Sequence, residues 1–209
     1  VDSILQTIDR IATATTFQDT KLLNGTYDFT ISNQAAIVDD FAIHAAKLGH
    51  DDTRAVNLVV TASAQHGGLF LSANGVKFNL DDADANFTIE IAGNKGTREF
   101  SFASGTLLVD AAEAINTFKS VTGVTATKVG TGIALRSEAF GSNAFVSVDV
   151  IDDAGQNGAV HMFSASDENM VRPGNPTAFA SATNPIRDNG QDVGAIVNGI
   201  MATSDGKSL

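Results

Sequence analysis

A change of hydrophobic period between residues 87 and 151 restricts the fold of this chain more than any other feature. Apolar and polar residues alternate in residues 87–92 and again in 98–102, the period of two that is typical of half-buried strands. The residues between them, Gly93-Asn94-Lys95-Gly96, favour a tight turn. We therefore predict a β-hairpin in which Phe100 and Phe102 lie on one face.

The period then becomes helical. Apolar residues recur at helical spacing at Leu107, Ala111, Ala114 or Ile115, Phe118 and Val121. Thr106 is placed to cap the start, and Gly123 to end the helix in a left-handed conformation. We predict one main helix, at about residues 106–122.

Three more strands are predicted after this helix, at residues 124–129, 133–137 and 145–151. The first two flank the turn Gly130-Thr131-Gly132 and form a second hairpin. A helix that crosses from one hairpin to another covers one face of the sheet. The predicted fold class is therefore α+β, mostly antiparallel β, with one main helix packed on a sheet.

Outside this region the patterns are shorter. Further strands are predicted at residues 27–31, 56–62, 69–71, 76–80 and 161–163. Residues 193–197 and 200–202 flank Asn198-Gly199, a strong hairpin pattern. Turns or loops are predicted at 63–68, 74–75, 152–158, 167–176 and 185–192. The pattern leaves helix or strand open at residues 35–49, and residues 178–183 undecided.

Composition excludes several classes of function. The chain has 209 residues, no cysteine and a net charge of −11. Without cysteine there is no disulfide, thiolate metal site or cysteine nucleophile. Binding to nucleic acid or to an anionic membrane is disfavoured, because no basic stripe exists to neutralise phosphates. No apolar run is long enough for a transmembrane helix.

The first residues carry a helical pattern without a signal-peptide pattern. Ile4, Leu5, Ile8 and Ile11 would form the apolar face of a helix over residues 1–12. No methionine begins the chain, and no basic region precedes an apolar one. We expect a fragment of a longer protein that begins inside a helix.

Residues 100–148 resemble the IN module of bacterial flagellins. The match consists of Ile115-Asn116, the run Thr122-Gly123-Val124-Thr125-Ala126, and Phe140-Gly141-Ser142. The resemblance extends to both ends of the chain. The segment IDRIATATTFQDTKLLNG is similar to the end of the flagellin N-terminal rod helix, with Phe17 and Leu22-Leu23 at the expected spacing. The tail resembles the segment downstream of IN modules, through Asp192-Val193 and Val197-Asn198-Gly199.

This resemblance implies a structural subunit of the extracellular flagellar filament, exported as an unfolded chain by a type III apparatus. It implies four segments: a rod-helix stub (1–26), a neck-proximal segment (27–66), a surface domain (67–184, with its module at 87–151), and a returning hairpin (185–209). Its partners would be other flagellin subunits, bound through terminal helices outside this sequence, so the fragment itself should be monomeric. The alternatives are a hook–filament junction or filament cap protein, or a surface module that binds glycans, cells or phage.

The residues themselves predict no catalytic, cofactor or metal site. His44, His50, His66 and His161 have no metal-ligand spacing. The acidic segments at 81–86 and 149–153 have oxygen-rich spacing but lack the rest of a calcium loop, so solvated turns are favoured and calcium stays open. Asn24 and Asn86 begin N-glycosylation sequons, and the many Ser and Thr residues could accept O-glycans.

Overall fold

The computed structural model places the chain in two units, Val1–Ala55 and Val56–Leu209. The residues that the structure describes are 4–7, 10–11, 16–17, 20–21, 31–43, 53–164, 167–171 and 176–209. None of the described helices is long and apolar enough to cross a membrane.

Only parts of the first unit are described. Residues 4–7 and 10–11 are helical, in agreement with the predicted N-terminal helix. Two short antiparallel strands follow, β1 (Thr16–Phe17) and β2 (Thr20–Lys21). Residues 31–43 form neither helix nor strand, and within them Val38 N donates a hydrogen bond to Ala35 O at 3.0 Å. Predictions for residues 22–30 and 44–52 lie outside the described residues.

The second unit consists mainly of antiparallel sheets. Its strands are β3 (Leu58–Ala62), β4 (His66–Ser72), β5 (Asn86–Gly93), β6 (Gly96–Ala103), β7 (Val124–Val129), β8 (Gly132–Phe140), β9 (Phe145–Asp152), β10 (Ala159–Ser164), β11 (Asp167–Val171), β12 (Thr177–Ala178), β13 (Ile186–Asn189), β14 (Gly194–Val197) and β15 (Ile200–Met201). One sheet has the order β11-β10-β4-β8-β7 with β12 beside β10, another β13-β9-β5-β6, and a third β15-β14-β3. With two short helices on this framework, the predicted α+β class is confirmed.

Both hairpins of the predicted module are confirmed. Strands β5 and β6 pair from Asn86↔Ala103 to Gly93↔Gly96, and β7 pairs with β8. Phe100 and Phe102 are both buried, with parallel rings whose centroids lie 6.3 Å apart. The period of two therefore identified the face of this hairpin that enters the core.

The predicted single helix is in fact two helical segments, α1 (Leu108–Thr117) and α2 (Lys119–Thr122), with a break at Phe118. Thr106 is not its cap. The N-terminal flanking residue is Leu107, without a side-chain cap, and the Val76 carbonyl accepts from Leu108 N at 3.0 Å. A neighbouring backbone segment thus satisfies a free N–H group of the first turn. Gly123 is left-handed as predicted, with φ +74°.

The buried face of α1 consists of Leu108, Ala111, Ala112 and Ile115. Of the residues predicted on this face, Leu107 and Val121 are instead exposed, because the helix starts later and breaks earlier than the pattern suggests. The core beneath it is aromatic at its centre. The Phe78 ring lies 5.0 Å from Phe87 and 5.3 Å from Phe102.

Residues 76–80 do not form the predicted strand, so the predicted hairpin at Asn74-Gly75 is wrong. Their backbone pairs with loops instead: Phe78 N donates to Thr106 O, and Gly105 N donates to Phe78 O, each at 2.9 Å. Gln156, a buried side chain, accepts from Asn79 N at 2.7 Å. Phe78 and Leu80 are buried. Lys77 forms an isolated antiparallel bridge with Leu107, and the described residues extend it into no strand.

Three predicted loops or turns contain strands. Residues 66–68 belong to β4, which pairs with β8 through a bulge between His66 and Gly68. The loop predicted at 167–176 contains β11, and that predicted at 185–192 contains β13, which pairs with β9. In each case an adjacent strand supplies hydrogen-bond partners that the local sequence does not reveal.

The hairpin predicted at the end of the chain is confirmed. Strands β14 and β15 pair across Asn198 (φ +51°) and Gly199 (φ +85°). Strand β3, at the start of the unit, pairs antiparallel with β14. Asn57 N donates to Asn198 Oδ1 and Asn198 N to Asn57 O, each at 2.8 Å. The beginning and the end of the folded unit therefore lie side by side.

Candidate functional site

The Ile115-Asn116 pair joins α1 to the sheet in two ways. Ile115 is fully buried in the core. The Asn116 side chain pairs with the backbone of Ala126 in β7: Nδ2 donates to Ala126 O at 2.7 Å, and Ala126 N donates to Oδ1 at 2.8 Å. The amide thus forms the pair of hydrogen bonds that a neighbouring strand would form. The contact between Asn116 and Ala126, which lie ten residues apart in sequence, holds the helix at a fixed position on the sheet.

We expect Asn116→Ala to lower the free energy of unfolding by about 2–4 kcal/mol, since two buried backbone groups of Ala126 lose their partners. Chemical denaturation measures the change. Asn143→Ala is the matched control, because its exposed amide makes one long hydrogen bond, 3.3 Å to Asp205. Equal losses in the two variants would show that the Asn116 pair does not hold the helix.

A second set of contacts joins four separate segments of the second unit. We call it the polar junction: Gln65, Gly141-Ser142, Gly190-Gln191-Asp192 and Gly206. Gln65 N donates to Gln191 O at 2.8 Å, and Gln191 N returns a bond to Gln65 O at 3.0 Å. Gly141 N also donates to Gln65 O, at 3.1 Å. The backbone of the segment that leads into β4 therefore holds both the β8–β9 turn and the segment before β14.

Asp192 is the centre of the polar junction. Its Oδ1 accepts from Ser142 N at 2.9 Å and from Gly206 N at 2.8 Å, and its Oδ2 accepts from Ser142 Oγ at 2.5 Å. These bonds stabilise the ionised form, so they lower the pKa of Asp192, the Ser142 hydroxyl contributing most. One carboxylate thus fastens the turn after β8 to the C-terminal turn around Gly206.

We expect this contact to weaken in acid. The pKa of Asp192 is lower in the folded chain than its ordinary value of about 3.9, so its stabilising effect is complete above that pH. It is lost as the pH falls through the lower, folded pKa. Denaturation of wild type and Asp192→Asn between pH 7 and pH 2 tests this. The stability difference should be constant above about pH 4 and shrink below it; a difference that persists into acid would contradict the prediction.

Glycines let the backbone segments of the polar junction approach closely. Gly141 has φ +102°, and a Cβ atom there would lie 2.5 Å from Asp192 Oδ1 and 2.7 Å from the Gly206 Cα. A Cβ at Gly190 would lie 2.5 Å from the carbonyl oxygens of both Gln65 and Gly141. Side chains are excluded at both positions, and the junction is therefore a backbone-on-backbone contact.

A cavity of about 400 Å³ opens beside the polar junction. It is lined by Gln65, His66, Ser142, Phe163, Ser164, Asp188, Asn189, Gly190, Gln191 and Asp192. The His66 ring packs on Phe140 with centroids 3.7 Å apart, and Asp188 Oδ2 accepts from Gly68 N at 2.9 Å. The walls are thus held by contacts within the protein.

The histidines and aspartates that the sequence offers as site candidates do not form a common site among the described residues. His44 and His50 lie outside the described residues; His66 lines the cavity, and His161 is in β10, where burial lowers its pKa. Asp82 and Asp84 share an exposed turn in which Asp84 N donates to Asp82 Oδ1 at 3.1 Å. Within the described part of the chain, no group of three or more His, Asp or Glu residues could hold a metal ion.

Of the two N-glycosylation sequons, only the one that begins at Asn86 lies among the described residues. Asn24 lies outside the described residues, whereas Asn86 is exposed at the start of β5.

The polar junction is not predicted as a site by the sequence, although Phe140-Gly141-Ser142 and Asp192-Val193 both contribute to the flagellin resemblance. The presence of both motifs could have suggested a contact between them. Their separation of 50 residues gives no local pattern, however, so only the folded chain reveals that they meet.

The predicted module matches one known family model. A family model, the flagellin hook IN motif, matches residues 86–139. A search of curated protein sequences finds no match. Among solved structures, the D1-D2-D3 domains of the flagellar cap protein FliD from Escherichia coli align with a TM-score of 0.45 and 20% identity, covering 72% of this chain and 42% of that one.

FliD from Bdellovibrio bacteriovorus aligns with a TM-score of 0.44 and 13% identity, covering 72% of this chain and 76% of that one. The D2-D3 domains of the Escherichia coli protein give 0.46 and 20%, covering 72% and 73%. These structural similarities are too low to support an argument, and the chain spans less than half the length of the first FliD structure. The IN motif lies where the sequence pattern predicts it, so residues 86–139 are similar to the flagellin hook IN motif.

Proposed function

We propose that the second unit is an outward-facing surface domain of a flagellar filament subunit, and that it catalyses no reaction. Flagellar proteins assemble with other flagellar subunits, and the IN motif is the observation that carries the proposal. The topology supports it, because β3 and β14 are paired neighbours at the beginning and end of the unit. A domain closed in this way can be joined to a longer chain at one edge without disturbing its core.

The charge of one sheet face also supports this role. Glu90 in β5 lies directly opposite Glu99 in β6 and Asp149 in β9. Like charges directly opposite each other are unfavourable within a sheet. The same acidic groups would repel the equivalent groups on a neighbouring filament, because a surface that carries one sign of charge keeps particles apart in solution. This acidic face suits the outside of a polymer.

Immunogold electron microscopy of intact flagella tests the position of the domain. An antibody raised against residues 56–209 should label the filament along its whole length. Labelling confined to the tip would instead indicate a filament cap protein, and labelling confined to the base a hook–filament junction protein. Antibody absorbed with the purified chain is the control.

The isolated chain should be monomeric, because we propose that assembly depends on terminal helices of the family rather than on this domain. Sedimentation velocity over a range of concentrations measures this, and a stable long polymer would contradict it. Intact-mass measurement of the chain purified from flagella tests for O-glycans, which would add the mass of whole sugar residues.

A further inference from the structure

The chain contains several asparagines that are followed directly by glycine. In such a pair the backbone nitrogen of the glycine can attack the asparagine side chain, because glycine has no side chain to hinder the approach. The pairs begin at Asn24, Asn74, Asn157, Asn189 and Asn198. Asn24 lies outside the described residues, and the other four asparagines are all exposed. Exposure therefore does not distinguish these four, whereas their hydrogen bonds and packing do.

The pair at Asn189 is held at both reacting groups. The Asn189 side chain donates from Nδ2 to Ser142 O at 3.0 Å and accepts at Oδ1 from Arg187 Nε, also at 3.0 Å. The nitrogen that would attack it is engaged as well, since Gly190 N donates to Ala144 O at 2.8 Å. These bonds must break before the two groups can meet.

The pairs at Asn198 and Asn157 are held in other ways. Asn198 Oδ1 accepts from Asn57 N at 2.8 Å, which fixes the side-chain amide away from the following nitrogen. At the other pair it is the backbone that is fixed: a Cβ atom on Gly158 would overlap the Ser72 carbonyl oxygen, so this segment has no room to rearrange. In both pairs the attack requires an existing contact to open.

The pair at Asn74 is different. Neither the Asn74 side chain nor Gly75 N has a hydrogen-bond partner among the described residues. The backbone around Gly75 is also open, since the nearest heavy atom to a Cβ there, beyond its chain neighbours, would be Lys77 O at 3.5 Å. The side-chain carbon of Asn74 can therefore reach Gly75 N without breaking a hydrogen bond or displacing a neighbour.

We propose that Asn74 is a site of spontaneous deamidation in the folded chain, and that it reacts before the other three described pairs. Gly75 N bonds to Asn74 Cγ, the bond from Cγ to Nδ2 breaks, and Nδ2 leaves as ammonia with the proton from Gly75 N. Water then opens the cyclic imide, at Cγ to give aspartate or at the main-chain carbonyl carbon to give isoaspartate. Both products carry one more negative charge than the original chain. The reaction needs only water, and it does not depend on the proposed filament role.

Peptide mapping by mass spectrometry tests the proposal on the full 209-residue chain, incubated at neutral pH over a time course. The peptide that contains Asn74 should gain one mass unit about tenfold faster than those that contain Asn157, Asn189 and Asn198, because each of these must first open a contact. The same chain incubated in guanidinium chloride is the control for local sequence. There the contacts are absent, and the four rates should become similar.

Two variants assign the reaction to this pair. Gly75→Ala has room for its methyl group and should slow the reaction at Asn74 several-fold, because the methyl group hinders the attacking nitrogen. Asn74→Gln should abolish the gain, since glutamine must close a larger ring, and should leave the other three peptides unchanged. Equal rates at the four pairs of the folded chain, a faster reaction at Asn157, Asn189 or Asn198, or an unchanged rate in Gly75→Ala would overturn the proposal.

Discussion

Gly141→Ala is expected to lower the free energy of unfolding by about 2–5 kcal/mol. Two effects combine at this position. The φ of +102° strains any residue with a Cβ, and that Cβ would come within 2.5 Å of Asp192 Oδ1 and 2.8 Å of Gly206 N. The strain could be relieved only by moving the turn away from Asp192. The variant therefore tests whether the polar junction stabilises the whole unit.

Gly130→Ala is the matched control for this prediction. It also has a positive φ, +55°, but a Cβ there would have no heavy atom within 4 Å. Its cost should be limited to the left-handed conformation, about 1 kcal/mol. Chemical denaturation of both variants measures the difference. Equal losses would show that close packing at Gly141 contributes nothing, and that the junction is a peripheral contact.

Ile115→Ala is the second large effect that we expect, a loss of about 2–5 kcal/mol. The side chain is 0% exposed on the buried face of α1, so its removal leaves a cavity as well as losing apolar burial. Val109→Ala shortens a β-branched residue on the same helix, but Val109 is 44% exposed. This control should change stability by no more than about 0.5 kcal/mol.

Thermal and chemical unfolding should both show a larger loss of stability for Ile115→Ala than for Val109→Ala. If Ile115→Ala is tolerated as well as Val109→Ala, α1 does not need this anchor, and the Asn116 pair with Ala126 would have to position it alone. The double variant of Ile115 and Asn116 separates the two contributions, since residues that hold the same helix should show non-additive losses.

Much of the IN region could be predicted from sequence. The alternation in β5 and β6 is set by side chains that face a core on one side and solvent on the other. The glycine turns at residues 93–96 and 130–132 require backbone conformations that few other residues adopt. Such patterns are local, and they can be recognised before any tertiary contact is known.

Other elements could not be predicted. Residues 76–80 have an apolar pattern suited to a strand, yet their backbone pairs with residues 104–108 and Gln156. Strand β13 follows Pro185 in a polar segment, and it is a strand only because β9 offers it hydrogen-bond partners. Both outcomes depend on which backbone groups another part of the chain leaves available.

The sequence by itself determined the α+β class, the two hairpins, the helix between them and the family motif, because these depend on periodicity and on residues such as glycine with distinctive backbone preferences. Only the tertiary structure decided the polar junction and its cavity. Ser142 and Asp192 lie 50 residues apart, and the hydrogen bonds between them exist only when two separately formed turns meet. The sequence shows that Asp192 carries a carboxylate, but it does not show that Ser142 and Gly206 donate hydrogen bonds to it, because only the fold brings these residues together.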